Sequence, residues 1–376
     1  MKNRSTIVSI ALALCLSTAV LAQSNTAAGD EPYTAAIVIE PTTNTVIYEK
    51  NPDQPYPTAS MIKMLTLLVV MDHIKDGSLT LDTPVTTSAH ASKMGGSQVY
   101  LKQGEVFPVR DLIAATMVHS ANDAAEALAE QVGGTDEAFV ELMRQKAKDL
   151  GLKNYDINSP HGLPAAGEDK PDIMSPRDLA IVGIEIMKYP MLRELAQQKT
   201  MPFRDGKFTM YNPNHLLSIY PYATGIKTGY HAKAGFCVTA SARKGDMDLV
   251  GVIMGCQRKE DSFRSAAKLF SVAFAEWQMR PLIKAGTVMA TSVKIRHGAQ
   301  PDVQVVAGGG TNVLTQRGHE GKIQMFLGSN GATAPIKRGQ RVGTILVKRD
   351  GKVVATIPAL ARADVAQEAW YKKFLP

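Results

Sequence analysis

The stretch from Met61 to Ile74 constrains this chain more than any other. Met61, Ile62, Met64, Leu65, Leu67, Leu68, Val69, Val70 and Met71 make a helix with scarcely a polar side, and a helix that is apolar all round has to be buried. Pro57 and Thr58 supply its start, with Thr58 as the expected N-cap, and Gly77 closes it. A chain that must surround such a helix needs other layers and therefore length. It has 376 residues, 45% of them hydrophobic and 20% charged, which fits a globular chain with a core and excludes disorder or a collagen-like fibre.

Two polar residues interrupt the start of that helix. Ser60 and Lys63 stand three apart, on one face. A buried lysine loses hydration, so its pKa falls and a neutral amine becomes accessible. A neutral amine beside a hydroxyl can take its proton, which is one way to activate a serine nucleophile. The helix start adds N–H groups and positive dipole for a developing oxyanion. The bland alternative is a capping serine and a lysine snorkelling out of the core.

Residues 1–22 read as an export signal: Lys2 and Arg4, an apolar run from Ile7 to Val20, then the small cleavage residue Ala22. The remaining 354 residues hold no apolar run of the roughly 18–20 residues that span a membrane. Cys15 falls in the leader. Cys237 and Cys256 remain, too few for a disulfide scaffold, and are read as buried small hydrophobes on neighbouring strands.

The pattern is α+β. Ala35–Ile39 and Thr45–Tyr48 form a hairpin across Pro41–Asn44. Helices are expected at 111–117, 123–132, 139–150 and 176–187, and strands at 236–242 and 249–254. Strands at both ends with helices between suggest one sheet built from distant parts of the chain. From about residue 282 short β-type runs take over, with Asp350-Gly351 as a strong hairpin turn, and helical spacing resumes from Ala363. This gives a signal peptide at 1–22, a catalytic domain at 23–280, a small β-sandwich-like domain at 281–360 and an amphipathic tail at 361–376. Residues 23–280 carry 26 Lys and Arg against 30 Asp and Glu, whereas residues 281–376 carry 14 against 5. Such asymmetry points the second unit at an anionic membrane surface or wall polymer, and not, in an exported chain, at nucleic acid. Trp370, Tyr371 and Phe374, with Lys372 and Lys373 between them, suit weak peripheral contact with an anionic bilayer.

Two further triplets join Ser60 and Lys63. Ser120-Ala121-Asn122 lies in the break between two helices, where its bland role is N-capping. Lys227-Thr228-Gly229 precedes the expected 236–242 strand, where Gly229 lets another backbone approach closely; its bland role is a solvated turn. Ser-x-x-Lys, Ser-Asp-Asn and Lys-Thr-Gly in that order mark β-lactamases of class A and penicillin-binding proteins, and all three occur here, with Ala121 in the middle position of the second. With them, Pro57–Met64, Ser159–Leu163, Ser175–Ala180, Asn212–Leu217 and Gly225–Tyr230 resemble the low-molecular-mass penicillin-binding proteins with D-alanyl-D-alanine carboxypeptidase activity, over nearly the whole chain past the leader.

The resemblance implies a β-lactamase/transpeptidase-like catalytic domain, an antiparallel sheet with a helical cluster. It implies that Ser60 attacks the carbonyl between two D-alanines of a peptidoglycan stem pentapeptide and that Lys63 is its base. Ser120 would pass the proton to the leaving D-alanine, assisted by Lys227. Asn122 would hold the substrate amide, Thr228 with Lys227 the terminal carboxylate, and the N–H groups of Ser60 and Tyr230 the oxyanion. β-Lactams would be covalent inhibitors, and the enzyme would work in the periplasm or outside the cytoplasm. Some members carry a basic residue where Pro213 stands; here its role would fall to Thr228, with His215 or Arg264. The class A Glu-x-x-Leu-Asn segment is missing, since Glu141 and Glu194 do not fit it. A β-lactamase or a D,D-endopeptidase on the same scaffold is the competing reading, and a wall-binding module with a degenerate catalytic domain the one from another class. No cofactor is implied, and the eight histidines include no His-x-x-x-His pair for a metal.

Overall fold

The structure is a computed structural model that describes residues 31–164 and 170–369. The leader at 1–22 and the tail residues Trp370 to Phe374 lie outside the described residues.

Five antiparallel strands form the sheet of the larger part, in the order Ala223–His231, Gly235–Lys244, Met247–Cys256, Ala35–Glu40, Thr45–Lys50. The N-terminal hairpin thus closes against strands more than 200 residues later, with Ile37 opposite Val252 and Val38 opposite Gly251. Side chains alternate across a strand, and Ala35–Glu40 is buried on both faces. Ala35, Ile37 and Ile39 face the helical cluster. Ala36 and Val38 turn the other way, onto Phe263, Phe270 and Phe274 of the helix Lys259–Glu276. That layering explains why the strand has no polar face.

The apolar helix runs Lys63–Asp76 and is buried from Lys63 to Val70. It stops at Gly77, which takes the left-handed conformation at φ 85°. Its start differs from the expectation. Ala59–Ile62 makes a 3₁₀ turn first, and Thr58 stands at its N-cap position but its side chain accepts no cap hydrogen bond. Its hydroxyl instead reaches the Asp172 carbonyl at 3.2 Å, because Thr58 is already held to that strand by its own N–H at 2.8 Å. The expected 111–117 helix is Val109–Ala114 followed by a π turn at Ala115–His119. Around it stand Asn122–Gly133, Asp136–Asp149 and Pro176–Lys188, the last begun by Ser175, whose side chain accepts from the Asp178 N–H.

A second correction concerns Lys227-Thr228-Gly229. The triplet precedes the strand Gly235–Lys244, as expected, but it also lies within a strand that was not expected, the edge strand Ala223–His231, with Lys227 opposite Thr239.

The all-β part begins with Trp277–Ile283, paired to Thr311–Gln316. A six-stranded sheet follows, Val288–Arg296, Asp302–Ala307, Ile323–Gly328, Ala332–Thr333, Arg341–Arg349 and Lys352–Ala361. Val293, Val305, Val313, Ile345 and Ala359 fill its own core. Asp350 and Gly351 both have positive φ, at 50° and 82°, as a two-residue hairpin of the primed type needs. The helical spacing read from Ala363 is not realised over residues 363–369. Val365 exchanges backbone hydrogen bonds with Ile336 at 2.9 Å and is buried, so an apolar β-branched side chain seals the β core there. Cys237 and Cys256 are both buried and unbridged, as expected. Among the described residues no helix is long and apolar enough to cross a membrane.

Candidate active site

Three elements meet at the site. The 3₁₀ turn at Ala59–Ile62 presents Ser60, the end of the π turn presents Ser120, and the edge strand presents Lys227. Two of these backbones are held in a left-handed conformation that non-glycine residues rarely adopt, Ala59 at φ 45° and Ser120 at φ 64°. Such strain persists only where surrounding contacts over-determine it.

Asp172 holds the neighbourhood of the turn: its carboxylate accepts from the N–H groups of Asn158 at 2.7 Å and Ser159 at 2.9 Å and from the Ser159 hydroxyl at 2.7 Å. The Ser159 hydroxyl in turn accepts from the Gly162 N–H at 2.8 Å. Gly162 lies so close to the turn that a Cβ would come within 2.3 Å of the Ala59 carbonyl. Gly229 approaches from the other side, where a Cβ would stand 2.6 Å from the Thr58 carbonyl. Neither position admits a side chain. On the third side Asp123 accepts from Val99 and Leu101 N–H groups at 3.2 and 2.9 Å, fixing the loop against which Asn122 packs.

Within this frame Lys63 Nζ donates to Ser60 Oγ at 2.7 Å and to the His161 carbonyl at 2.8 Å. Lys63 is 0% exposed, and burial, helped by the charge of Lys227, drives its pKa well below the usual lysine value. A second pair repeats the first: Lys227 Nζ donates to Ser120 Oγ at 2.7 Å, and burial lowers Lys227 to about 7. Asn122 Nδ2 donates to the Gly95 carbonyl at 2.6 Å, while its Oδ1 is buried with no hydrogen-bond partner. Thr228 is partly exposed beside Lys227, and Tyr230, 59% exposed, lies over Phe236 with ring centroids 4.5 Å apart.

The structure therefore brings Ser60, Lys63, Ser120, Asn122, Lys227, Thr228 and Gly229 together from three distant stretches of chain. The two candidates for holding a carboxylate in place of Pro213 lie on the other face of the sheet. The His215 ring stacks on Phe263, 5.8 Å away, and Arg264 is exposed on the helix Lys259–Glu276. Sequence reasoning gave no role to Asp172 or to the His161 carbonyl. The first was signalled only by its place ahead of Ser175-Pro176, and the second, a main-chain atom, carries no residue-type signal.

An amine and a hydroxyl in contact, twice, with burial pushing both lysines toward the neutral amine, is equipment suited to a nucleophilic serine whose base is a lysine. Comparison with known proteins agrees. Residues 22–258 match the D-alanyl-D-alanine carboxypeptidase family, and residues 277–367 match the penicillin-binding protein 5 C-terminal domain. The chain is 35% identical over 347 residues to the D-alanyl-D-alanine carboxypeptidase DacF of Bacillus subtilis, covering 91% of this chain and 87% of that one. It is 32% identical to DacC of Escherichia coli, a protein of the same description, over 90% and 85% of the two chains. Its structure resembles penicillin-binding protein 5 of Haemophilus influenzae with a TM-score of 0.74 at 26% identity, covering 91% and 99%. Fold, motif order and both matched segments converge, and the chain belongs to the D-alanyl-D-alanine carboxypeptidase family.

Proposed function

We propose that this protein is a serine-type D-alanyl-D-alanine carboxypeptidase that trims the stem pentapeptide of peptidoglycan, with Ser60 as nucleophile. The observation that carries the reading is the 2.7 Å contact between the fully buried Lys63 Nζ and the half-buried Ser60 Oγ. Neutral Lys63 takes the proton as Ser60 Oγ attacks the carbonyl of the penultimate D-alanine. The bond to the terminal D-alanine breaks, its nitrogen receiving a proton by way of Ser120, and an ester to Ser60 remains. Water, deprotonated by Lys63, then attacks the ester and releases the shortened peptide and the free hydroxyl. Lys227 and Thr228 meet the terminal carboxylate. The unpartnered Asn122 Oδ1 awaits a donor, and a substrate amide N–H is the donor it fits. The N–H groups of Ser60 and Tyr230 hold the oxyanion.

β-Lactams would acylate Ser60 in the same way and, with no class A glutamate to prime water, leave slowly. The enzyme would work after export by its leader, on the outer side of the cytoplasmic membrane. The basic 281–360 domain and the 361–376 tail would give weak, salt-sensitive contact with anionic lipid. Incubation with a peptide ending in D-Ala-D-Ala, with D-alanine release as the readout, tests the reading. Efficient turnover of a chromogenic cephalosporin without D-alanine release would reject it in favour of a lactamase.

A further inference from the structure

One helical turn beyond Asn122, on the same helix, stands a carboxylate that the chemistry above does not use. Glu126 is 0% exposed, and neither of its oxygens has a hydrogen-bond partner. The other buried acids are unlike it. Glu40 accepts from Thr42 and Thr43, Asp123 from Val99 and Leu101, and Asp178 from Lys153 and Asn154. A buried carboxylate with no donor is expensive unless a charge or a metal answers it.

What surrounds Glu126 is a set of ligands. His90 Nε2 lies 3.8 Å from its Oε1, and Asp136 Oδ2 lies 3.4 Å from the same His90 nitrogen. The donor atoms of His90, Glu126 and Asp136 all fall within 4.8 Å of one another. Each comes from a different element. His90 precedes the 3₁₀ turn Ala91–Lys93, Glu126 is in mid-helix, and Asp136 opens the next helix after the turn at Gly133 and Gly134. Ligand bonds of about 2.0–2.2 Å in a tetrahedral arrangement place donor atoms roughly 3.3–3.6 Å apart, so these three are already close to their positions around one ion.

We propose that His90, Glu126 and Asp136 form a binding site for one divalent transition-metal ion of the zinc class. One imidazole with two carboxylates suits zinc and its neighbours better than magnesium or calcium, which prefer all-oxygen shells. Three protein donors also leave a position for water. His90 and Asp136 are exposed enough for an ion to enter, with 59% and 36% of their side-chain surfaces open.

His161 completes the site from inside. Its Nδ1 accepts from the Leu163 N–H at 3.1 Å, so the neutral ring carries its proton on Nε2, which faces Glu126 Oε2 at 3.4 Å. The pair makes no hydrogen bond as it stands, but a donor in that position is what commonly orients a ligating carboxylate. The main-chain carbonyl of the same residue holds Lys63. The ion site thus lies one residue away from the nucleophile's base and bears on where that base sits. The rival account is a proton shared between Glu126 and Asp136 with no metal at all.

The test uses untagged protein stripped with a chelator and titrated with zinc(II) against a chromophoric chelator, with cobalt(II) as an optical probe of coordination. The wild type should take up one equivalent and give the visible bands of a four- or five-coordinate cobalt site. His90→Ala and Asp136→Asn should each weaken uptake by at least about 10²-fold while still forming a β-lactam adduct, which shows that they fold. Glu126→Gln should abolish the cobalt bands. Uptake by the wild type no greater than by His90→Ala, or uptake equal in all variants, overturns the site. The first result leaves the shared proton, and the second puts the metal on other surface groups.

Discussion

The two lysine–hydroxyl pairs differ less in geometry than in what surrounds them. Both Nζ···Oγ distances are 2.7 Å and both lysines are buried. Lys63 sits on a helix start, anchored by a second acceptor, the His161 carbonyl, in a frame tied down by Asp172. Lys227 sits on an edge strand, and its other acceptor, the Thr228 carbonyl, is 3.4 Å away. Burial lowers both pKa values, and for Lys63 the charge of Lys227 adds to the depression. On the proposed mechanism the lysine of the better-braced pair serves as the base, and Lys227 is left to attract a carboxylate.

Substitutions at the two pairs should separate those roles. Ser60→Ala should abolish both D-alanine release and the β-lactam adduct. An adduct found by mass spectrometry on a peptide lacking Ser60 would break the assignment. Lys63→Ala should slow acylation by at least about 10²-fold, the usual size of a general-base effect, with every β-lactam alike. Lys227→Ala should act through binding: a loss of about 10-fold or more, mainly in KM, for ligands with a carboxylate, as expected for a charge-assisted hydrogen bond of about 1.5–3 kcal/mol. Equal losses in both kinetic constants from both variants would erase the distinction.

The pH dependence sharpens it. A lysine loses charge as pH rises through its pKa, so acylation by a carboxylate-bearing β-lactam should fall as Lys227 neutralises above about 7. A rate still climbing at higher pH would mean that Lys227 keeps its proton or has no part. The bracing can be probed apart from the chemistry. Asp172→Ala leaves three donors without their acceptor and should cost about 2–4 kcal/mol in denaturant unfolding, with slower acylation through a displaced Ser60. The smallest effect concerns the tail. Removing residues 370–376, and not 363–376, spares Val365 in the β core and should leave activity on soluble peptide unchanged while reducing sedimentation with anionic liposomes at low salt. Equal sedimentation would sink the anchor.

Side chains that must be of one chemical type for the reaction were readable in the sequence. Ser60, Lys63, Ser120, Asn122 and Lys227 could be picked out with their contexts of helix start, loop and strand edge, because hydroxyl, amide and amine leave few substitutes. The mixed α and β layering and the trailing β part were readable too, from periodicity. What escaped was the support. Asp172 holds Thr58, 114 residues away in sequence, through a main-chain carbonyl, and the π turn that ends at Ser120 has no compositional mark. The strand Ala223–His231 was missed because Gly225 and Gly229 depress β propensity, although Gly229 is there for the close approach of Thr58. Residues 363–369 read as helix because local spacing cannot show that Ile336 waits to pair with Val365.

The sheet also sets a timetable for folding. Ala35–Glu40 has Met247–Cys256 as one of its two neighbours, so its pairing waits until some 220 residues have followed it. Closing so long a loop is slow, and until it happens one edge of Ala35–Glu40 has no partner, while the helix Lys63–Asp76 can already pack on Asn122–Gly133, Asp136–Asp149 and Pro176–Lys188. The sheet of the nascent chain is thereby kept from closing early. Chains cut short before Cys256 would leave that strand edge unpaired and open to aggregation.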